Sequence, residues 1–154
     1  MDQENRNFIE NEGPIIINEG VAEGTSVGGN LCKFQLLNGT EYKPSLKDTI
    51  LFVEDDDMTG ELFSLNFDRD LHSIIHQHDF EQVKGIIIGR SQKNTDMTKE
   101  KIEKIVKSKK ELENIPVVAN MNFGHTYPMF TFPIGGRIKM EAFIDEVSIK
   151  IIEH

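Results

Sequence analysis

The sequence predicts an α/β chain in which a mixed β-sheet carries helices on one face. Three observations point there. Short apolar runs bounded by turn residues recur along the chain, two long amphipathic segments separate the central ones, and strand candidates stand alone at both ends. Strands first, then strand and helix in alternation, then strands again argue for one mixed sheet rather than a helical bundle or an all-β sandwich.

Taken in order, the opening MDQENRNFIENEG is polar and has no apolar period, so residues 1–13 read as a linker or trimmed boundary and 14–154 as the domain. Pro14 to Ile17 and Val21 to Val27 are the first strand candidates, and LCKFQLL after Asn30 puts Leu31, Phe34 and Leu37 on one side of a short helix. Ile50 to Val53 form a buried strand. A helix from about Thr59 to His78 opens on Thr with Glu close behind as a capping signal. Gly85 to Gly89 follow as a strand, and a second helix from about Thr98 to Leu112 opens in the same way. Within it TKEKIEKIVKSKKEL mixes Glu among the lysines and places Ile102, Ile105 and Val106 on one stripe. That pattern is the solvated face of an amphipathic helix rather than a phosphate site. Val117 to Ala119, Ile138 to Met140 and Val147 to Ile152 complete the strands.

Composition narrows the function. The 154 residues carry 17 Lys and Arg against 26 Asp and Glu, a net charge of −9, which disfavours nucleic acid as a partner. A single Cys32 excludes an internal disulfide and fits a reducing compartment. The chain has no apolar run of membrane-spanning length and no export signal, so it reads as cytoplasmic, away from membranes. No cofactor is implied.

Four stretches offer chemistry. Gly24-Thr25-Ser26-Val27-Gly28 matches the G-x-S-x-G turn of serine hydrolases letter for letter, and raises Ser26 as a nucleophile. In NMNFGHTYPMFTFPIGG, residues 120–136, His125 lies just beyond a strand's carboxyl end, where α/β sheets place catalytic groups. Phe123, Tyr127, Phe130 and Phe132 would exclude water around its imidazole. It reads as a general base, or as a loop histidine bonded only to its neighbours. In TILFVEDDD, Glu54 is the first polar residue as a buried strand emerges, placed to orient an imidazole; Asp56 and Asp57 suit a cap on the next helix better. Four adjacent acids without alternate spacing and Gly make a poor Ca²⁺ loop. His72 and His76 share a helix face at metal-ligand spacing, with His78 close by, but no Glu-x-x-His or Cys accompanies them, so they read as surface histidines and no metal is expected.

Four motifs in order, Gly28-Gly29-Asn30-Leu31, Gly39-Thr40-Glu41-Tyr42-Lys43-Pro44, Leu51-Phe52-Val53-Glu54-Asp55 and Gly124-His125-Thr126-Tyr127-Pro128 with Phe132-Pro133-Ile134-Gly135, resemble the carboxy-terminal half of the LD-carboxypeptidase and microcin-immunity family of serine peptidases. The resemblance covers nearly everything after residue 14. It implies a swivelling β/β/α unit, Glu54 and His125 as acid and base of a Ser-Glu-His triad, and Gly28, Gly29, Asn30 and Thr126 as substrate contacts. It also places the nucleophile in a preceding α/β domain that this chain lacks, makes Ser26 a coincidental match in a loose Gly-rich loop, and is compatible with a homodimer of the full-length protein. Substrates of the family are murein peptides ending in a D-amino acid, or the aspartyl-nucleotide of processed microcin. Microcin-type members carry a Lys shortly after the strand-end Glu, where this chain has Asp57-Met58-Thr59, while the aromatic loop and the long helix after Glu54 lean toward the immunity branch.

Two readings result. In one the chain is half of a serine peptidase, inactive alone; in the other it is a noncatalytic domain that binds a peptide or nucleotide. The first requires Glu54 and His125, on adjacent parallel strands, to lie within direct or one-water hydrogen-bond reach.

Overall fold

A computed structural model describes residues 11–144 and 146–154. Of the polar opening read above as a linker, residues 1–10 lie outside the described residues. Seven strands form one sheet: β1 (Ile15–Asn18), β2 (Gly20–Asn30), β3 (Thr49–Glu54), β4 (Val83–Gly89), β5 (Val117–Met121), β6 (Arg137–Phe143) and β7 (Glu146–Glu153). Their spatial order is β1-β5-β4-β3-β2-β6-β7. The four central strands run parallel, while β1, β6 and β7 pair antiparallel at the flanks.

The centre of this sheet is apolar on both faces, as a covered parallel sheet must be. Along β3 the side chains alternate: Leu51 and Val53 join the core beneath the helices, and Ile50 and Phe52 join a second core on the opposite face. In β4, Ile86 and Ile88 point to the first core and Ile87 to the second. The helices α1 (Leu31–Gln35), α2 (Phe63–Ile75) and α3 (Lys99–Lys107) all pack on the first core, through Leu31 and Phe34, through Phe63, Phe67, Leu71 and Ile74, and through Ile102 and Val106. The mixed sheet with helices on one face is therefore what is found. The second core is closed without helices, by β6, Phe123 and the partly buried Phe132, which stacks on Phe52 with ring centroids 3.8 Å apart.

The helix starts divide into one that follows its capping signal and one that does not. Thr98 caps α3, its side chain accepting from the Lys101 backbone N–H at 3.2 Å. The Thr59 signal fails: residues Asp57–Leu62 form a 3₁₀ turn capped by Asp56, Gly60 breaks the path at φ 49, and α2 begins only at Phe63. Its first turn is satisfied from a distance, by Asp96 accepting from the Ser64 N–H at 2.8 Å. Asp96 is held down to about 2, first by Lys101 and then by the Ser64 hydroxyl. The solvated reading of the lysine run also has an exception. Lys109 is buried, donating to the Asp68 carboxylate and, at 2.9 Å, to the Ile105 carbonyl, so it ties the end of α3 to α2. A buried ammonium is tolerable because its proton donors are paired in this way.

No helix among the described residues is long and apolar enough to cross a membrane.

Candidate active site

The strand expected over Val21 to Val27 is present and runs on to Asn30, so the loose Gly-rich loop expected around Ser26 is not found. Residues Thr25 to Asn30 of β2 pair in parallel register with Thr49 to Glu54, and Gly20 to Thr25 pair with β6 on the other side. Ser26 is fully buried within it. Its single hydroxyl proton is shared between the carbonyls of Pro133 and, at 3.1 Å, Gly136. Its backbone N–H and C=O are bonded to Gly136 and Gly135 at 2.8 Å each. Every polar atom of Ser26 is thus engaged in fastening the 133–136 segment to the sheet, and no face of the hydroxyl is left for a substrate.

Glu54 and His125 are in contact. His125 Nδ1 stands 2.7 Å from Glu54 Oε2. The strands that deliver them are not adjacent, contrary to the sequence expectation: β4 lies between β3 and β5. Contact is made instead by the 122–127 segment, which leaves β5 and crosses the exit of β4. Two glycines provide the room. A Cβ on Gly89, the last residue of β4, would fall 2.7 Å from the Phe123 carbonyl oxygen and 2.8 Å from Glu54 Cβ. A Cβ on Gly124, at φ 99, would fall 2.7 Å from Glu54 Oε2 itself.

The pair is asymmetric in exposure. The Glu54 side chain is 9% exposed at the end of its strand, whereas the His125 side chain is 48% exposed. The aromatic residues of the loop do not enclose the imidazole as expected. Phe123 and Phe132 turn into the second core, and Tyr127 is 74% exposed. A carboxylate accepts and cannot donate, so pairing with Nδ1 selects the neutral tautomer whose Nε2 is the unprotonated nitrogen. The hydrogen bond to Glu54 raises the His125 pKa above the ordinary histidine value; burial works against it, and the charges of Glu54, Asp56 and Asp55 add to it.

The other predicted site residues border this pair. In the β2–β3 ladder Asn30 lies opposite Glu54, with Gly28 and Gly29 opposite Phe52 and Val53. The Asn30 side chain is committed: its oxygen caps α1 by accepting from Lys33 N, and its amide donates to Asp55 Oδ1 at 3.0 Å. Burial pushes the Asp55 carboxyl up. Thr126, next to His125, has a buried hydroxyl with no partner among the described residues. A cavity of about 130 Å³ opens beside Asp55, lined by Cys32, Met58, Arg69 and Asp70 among others, and one of about 400 Å³ lies at the ends of β4 and β5 near the start of α3. Neither is lined by Glu54 or His125. His72 and His76 sit elsewhere, each 3.7 Å from a single carboxylate, Asp68 and Glu111 respectively.

Sequence reasoning missed Arg90, buried where β4 ends and bonded to the His125 loop. The rule that singled out Glu54, the first charged residue at the exit of an apolar strand, applies equally to Arg90 after GIIIG.

Comparison with known proteins places this geometry. The LD-carboxypeptidase C-terminal domain family matches residues 23–140. A Bacillus subtilis (strain 168) protein, "Putative carboxypeptidase YocD", is 49% identical over the whole of this chain and 46% of its own length. The microcin C7 self-immunity protein MccF of Escherichia coli is 28% identical over 87% of this chain and 38% of its own. Among solved structures, the MccF-like protein from Bacillus anthracis strain Ames superposes with a TM-score of 0.92 at 51% identity, covering 99% of this chain and 46% of that one. The chain thus spans about half the length of the relatives it matches.

Proposed function

This chain belongs to the LD-carboxypeptidase C-terminal domain family, and from that premise we propose that it is the acid- and base-bearing half of a serine peptidase. The nucleophilic Ser comes from the portion of the relatives' length that this chain does not span. In that protein the Ser hydroxyl attacks an amide carbonyl and His125 Nε2 takes its proton, then returns it to the leaving amine. Glu54 holds the Nδ1–H and stabilises the imidazolium formed in between. The observation that carries the reading is the 2.7 Å contact between Nδ1 and Oε2 on a histidine whose side chain is half exposed. Glu54 and His125 line neither of the two cavities described above, which suits a site completed by a second domain. Gly28, Gly29, Asn30 and Thr126 border the substrate, and the buried Thr126 hydroxyl has no partner among the described residues.

The substrate is a peptide amide, either before a terminal D-amino acid or, as the resemblance to the microcin self-immunity protein suggests, in an aminoacyl-nucleotide. Asp57-Met58-Thr59 stand shortly after Glu54, where microcin-type members carry a Lys, which favours the peptide, while the aromatic loop and the long helix after Glu54 lean toward the immunity branch. The reaction takes place in the cytoplasm and needs no metal or cofactor.

The test is turnover. The full-length protein is expected to release the terminal D-amino acid from an LD-linked tetrapeptide faster than it cleaves an aspartyl-adenylate analogue, and the 154-residue chain to do neither. Turnover by this chain that survives His125→Ala would overturn the assignment, as would a full-length protein that binds the peptide and never cleaves it.

A further inference from the structure

Arg90 is 7% exposed, and among the described residues it has no carboxylate partner. Buried cations are ordinarily paired with anions, because desolvation is otherwise uncompensated. Here the guanidinium is surrounded by neutral oxygens instead. Nη2 donates to the side-chain oxygen of Asn122 and to that of Asn11 at 3.1 Å, Nη1 reaches the Tyr127 carbonyl at 3.5 Å, and Nε has no partner. Its own backbone N–H extends the sheet by one more bond, to the Met121 carbonyl at 2.9 Å.

Two of these acceptors bracket His125. Asn122 is the first residue after β5 and Tyr127 lies two residues beyond the histidine, so one rigid side chain grips both feet of the segment that crosses β4. The segment needs such a grip. Phe123 seats its middle in the second core, but Gly89 and Gly124, which make its path sterically possible, contribute no side chain to hold it, and its own backbone bonds are few: Phe123 N to Met121 O and Phe130 N to Asn122 O, each 2.8 Å. Arg is suited to the task because its planar fork presents donors on separate nitrogens in fixed directions, whereas the donors of Lys all radiate from one nitrogen.

We infer that Arg90 is a positioning residue, a buried clamp that holds the 122–127 loop so that His125 Nδ1 meets Glu54. For catalysis this rests on the peptidase reading above; for the geometry of the pair it does not. Arg90 stands behind the loop and acts on the reaction only through the imidazole.

The experiment compares wild type and Arg90→Lys in the full-length protein by two readouts: steady-state kinetics on the LD-tetrapeptide, and the NMR signals of the ¹⁵N-labelled His125 ring with its Nδ1–H proton. Loss of the clamp is expected to lower kcat by about 10²-fold with KM nearly unchanged, the cost of a small misplacement of a reacting group. It is also expected to broaden or remove the Nδ1–H signal below the melting temperature. If Arg90→Lys does not fold, Asn122→Ala removes one acceptor while keeping the cation and is expected to shift the same signal. An unchanged Nδ1–H signal in a folded variant overturns the inference. A lost signal in a protein whose turnover never depended on His125 upholds the clamp and discards the peptidase reading.

Discussion

Two stretches of this chain carry the letters of a hydrolase site, Gly24 to Gly28 and Gly124 to Pro128, and the fold treats them in opposite ways. The first contains a complete nucleophile motif. The strand register β2 takes up buries Ser26 entirely, and two carbonyls from the 133–136 segment receive its hydroxyl. The second contains no nucleophile, yet its glycine and its crossing path put an imidazole on a carboxylate. What separates the two stretches is hydrogen-bonding capacity that folding leaves unspent, not the residue types alone.

The largest expected effect breaks the comparison at the second stretch. His125→Ala in the full-length protein should lower kcat by roughly 10⁴-fold or more, as removal of a triad member does. Next comes Gly124→Ala. Its methyl would sit against Glu54 Oε2 on a backbone that L side chains rarely adopt, so kcat should fall by about 10²-fold as the pair is pried apart. At the first stretch the readout changes kind. Ser26→Ala should leave kcat within a few-fold of wild type and instead cost about 1–2 kcal/mol of stability, because buried carbonyl acceptors lose their donor. A Ser26→Ala protein that is stable and inactive would reverse the assignment of the two stretches.

How much of this was legible in the sequence follows from the same contrast. The apolar runs of β3, β4 and β5 were readable because a covered parallel sheet demands continuous hydrophobicity, and the exit rule then pointed to Glu54 and His125. The placement of Ser26 was not readable in detail, since glycines at 24, 28 and 29 suggest a loop unless one knows that strands β3 and β6 flank them. Strand order is set by packing and chain crossing, which is why the pair was expected on neighbouring strands and is found across β4. Thr59 had every mark of a helix cap, but the turn at Gly60 and the distant carboxylate of Asp96 moved the start to Phe63. Arg90 escaped notice because its partners are neutral groups brought together by the loop.

The smallest effect is on pH. As a base His125 must be neutral, and its pKa is raised, so kcat/KM should fall as the pH drops through a midpoint above the ordinary histidine value near 6.5; Glu54→Gln should move that midpoint down. The stability contribution has the opposite sign. A raised folded-state pKa stabilises the fold fully below the unfolded value, and the benefit disappears as the pH rises through the folded one. Wild type should therefore gain on His125→Ala in thermal stability toward acid pH, and a midpoint unmoved by Glu54→Gln would show that the contact does not set the titration.

The central claim, that Glu54 and His125 act as one unit, is tested most directly by a double-mutant cycle on kcat in the full-length protein. If they are a unit, Glu54→Ala and His125→Ala each remove most of the rate, and the double variant is only a few-fold slower than the His125 variant alone. Losses that multiply, or a Glu54→Ala enzyme that keeps most of its kcat while the His125 variant is dead, would contradict it.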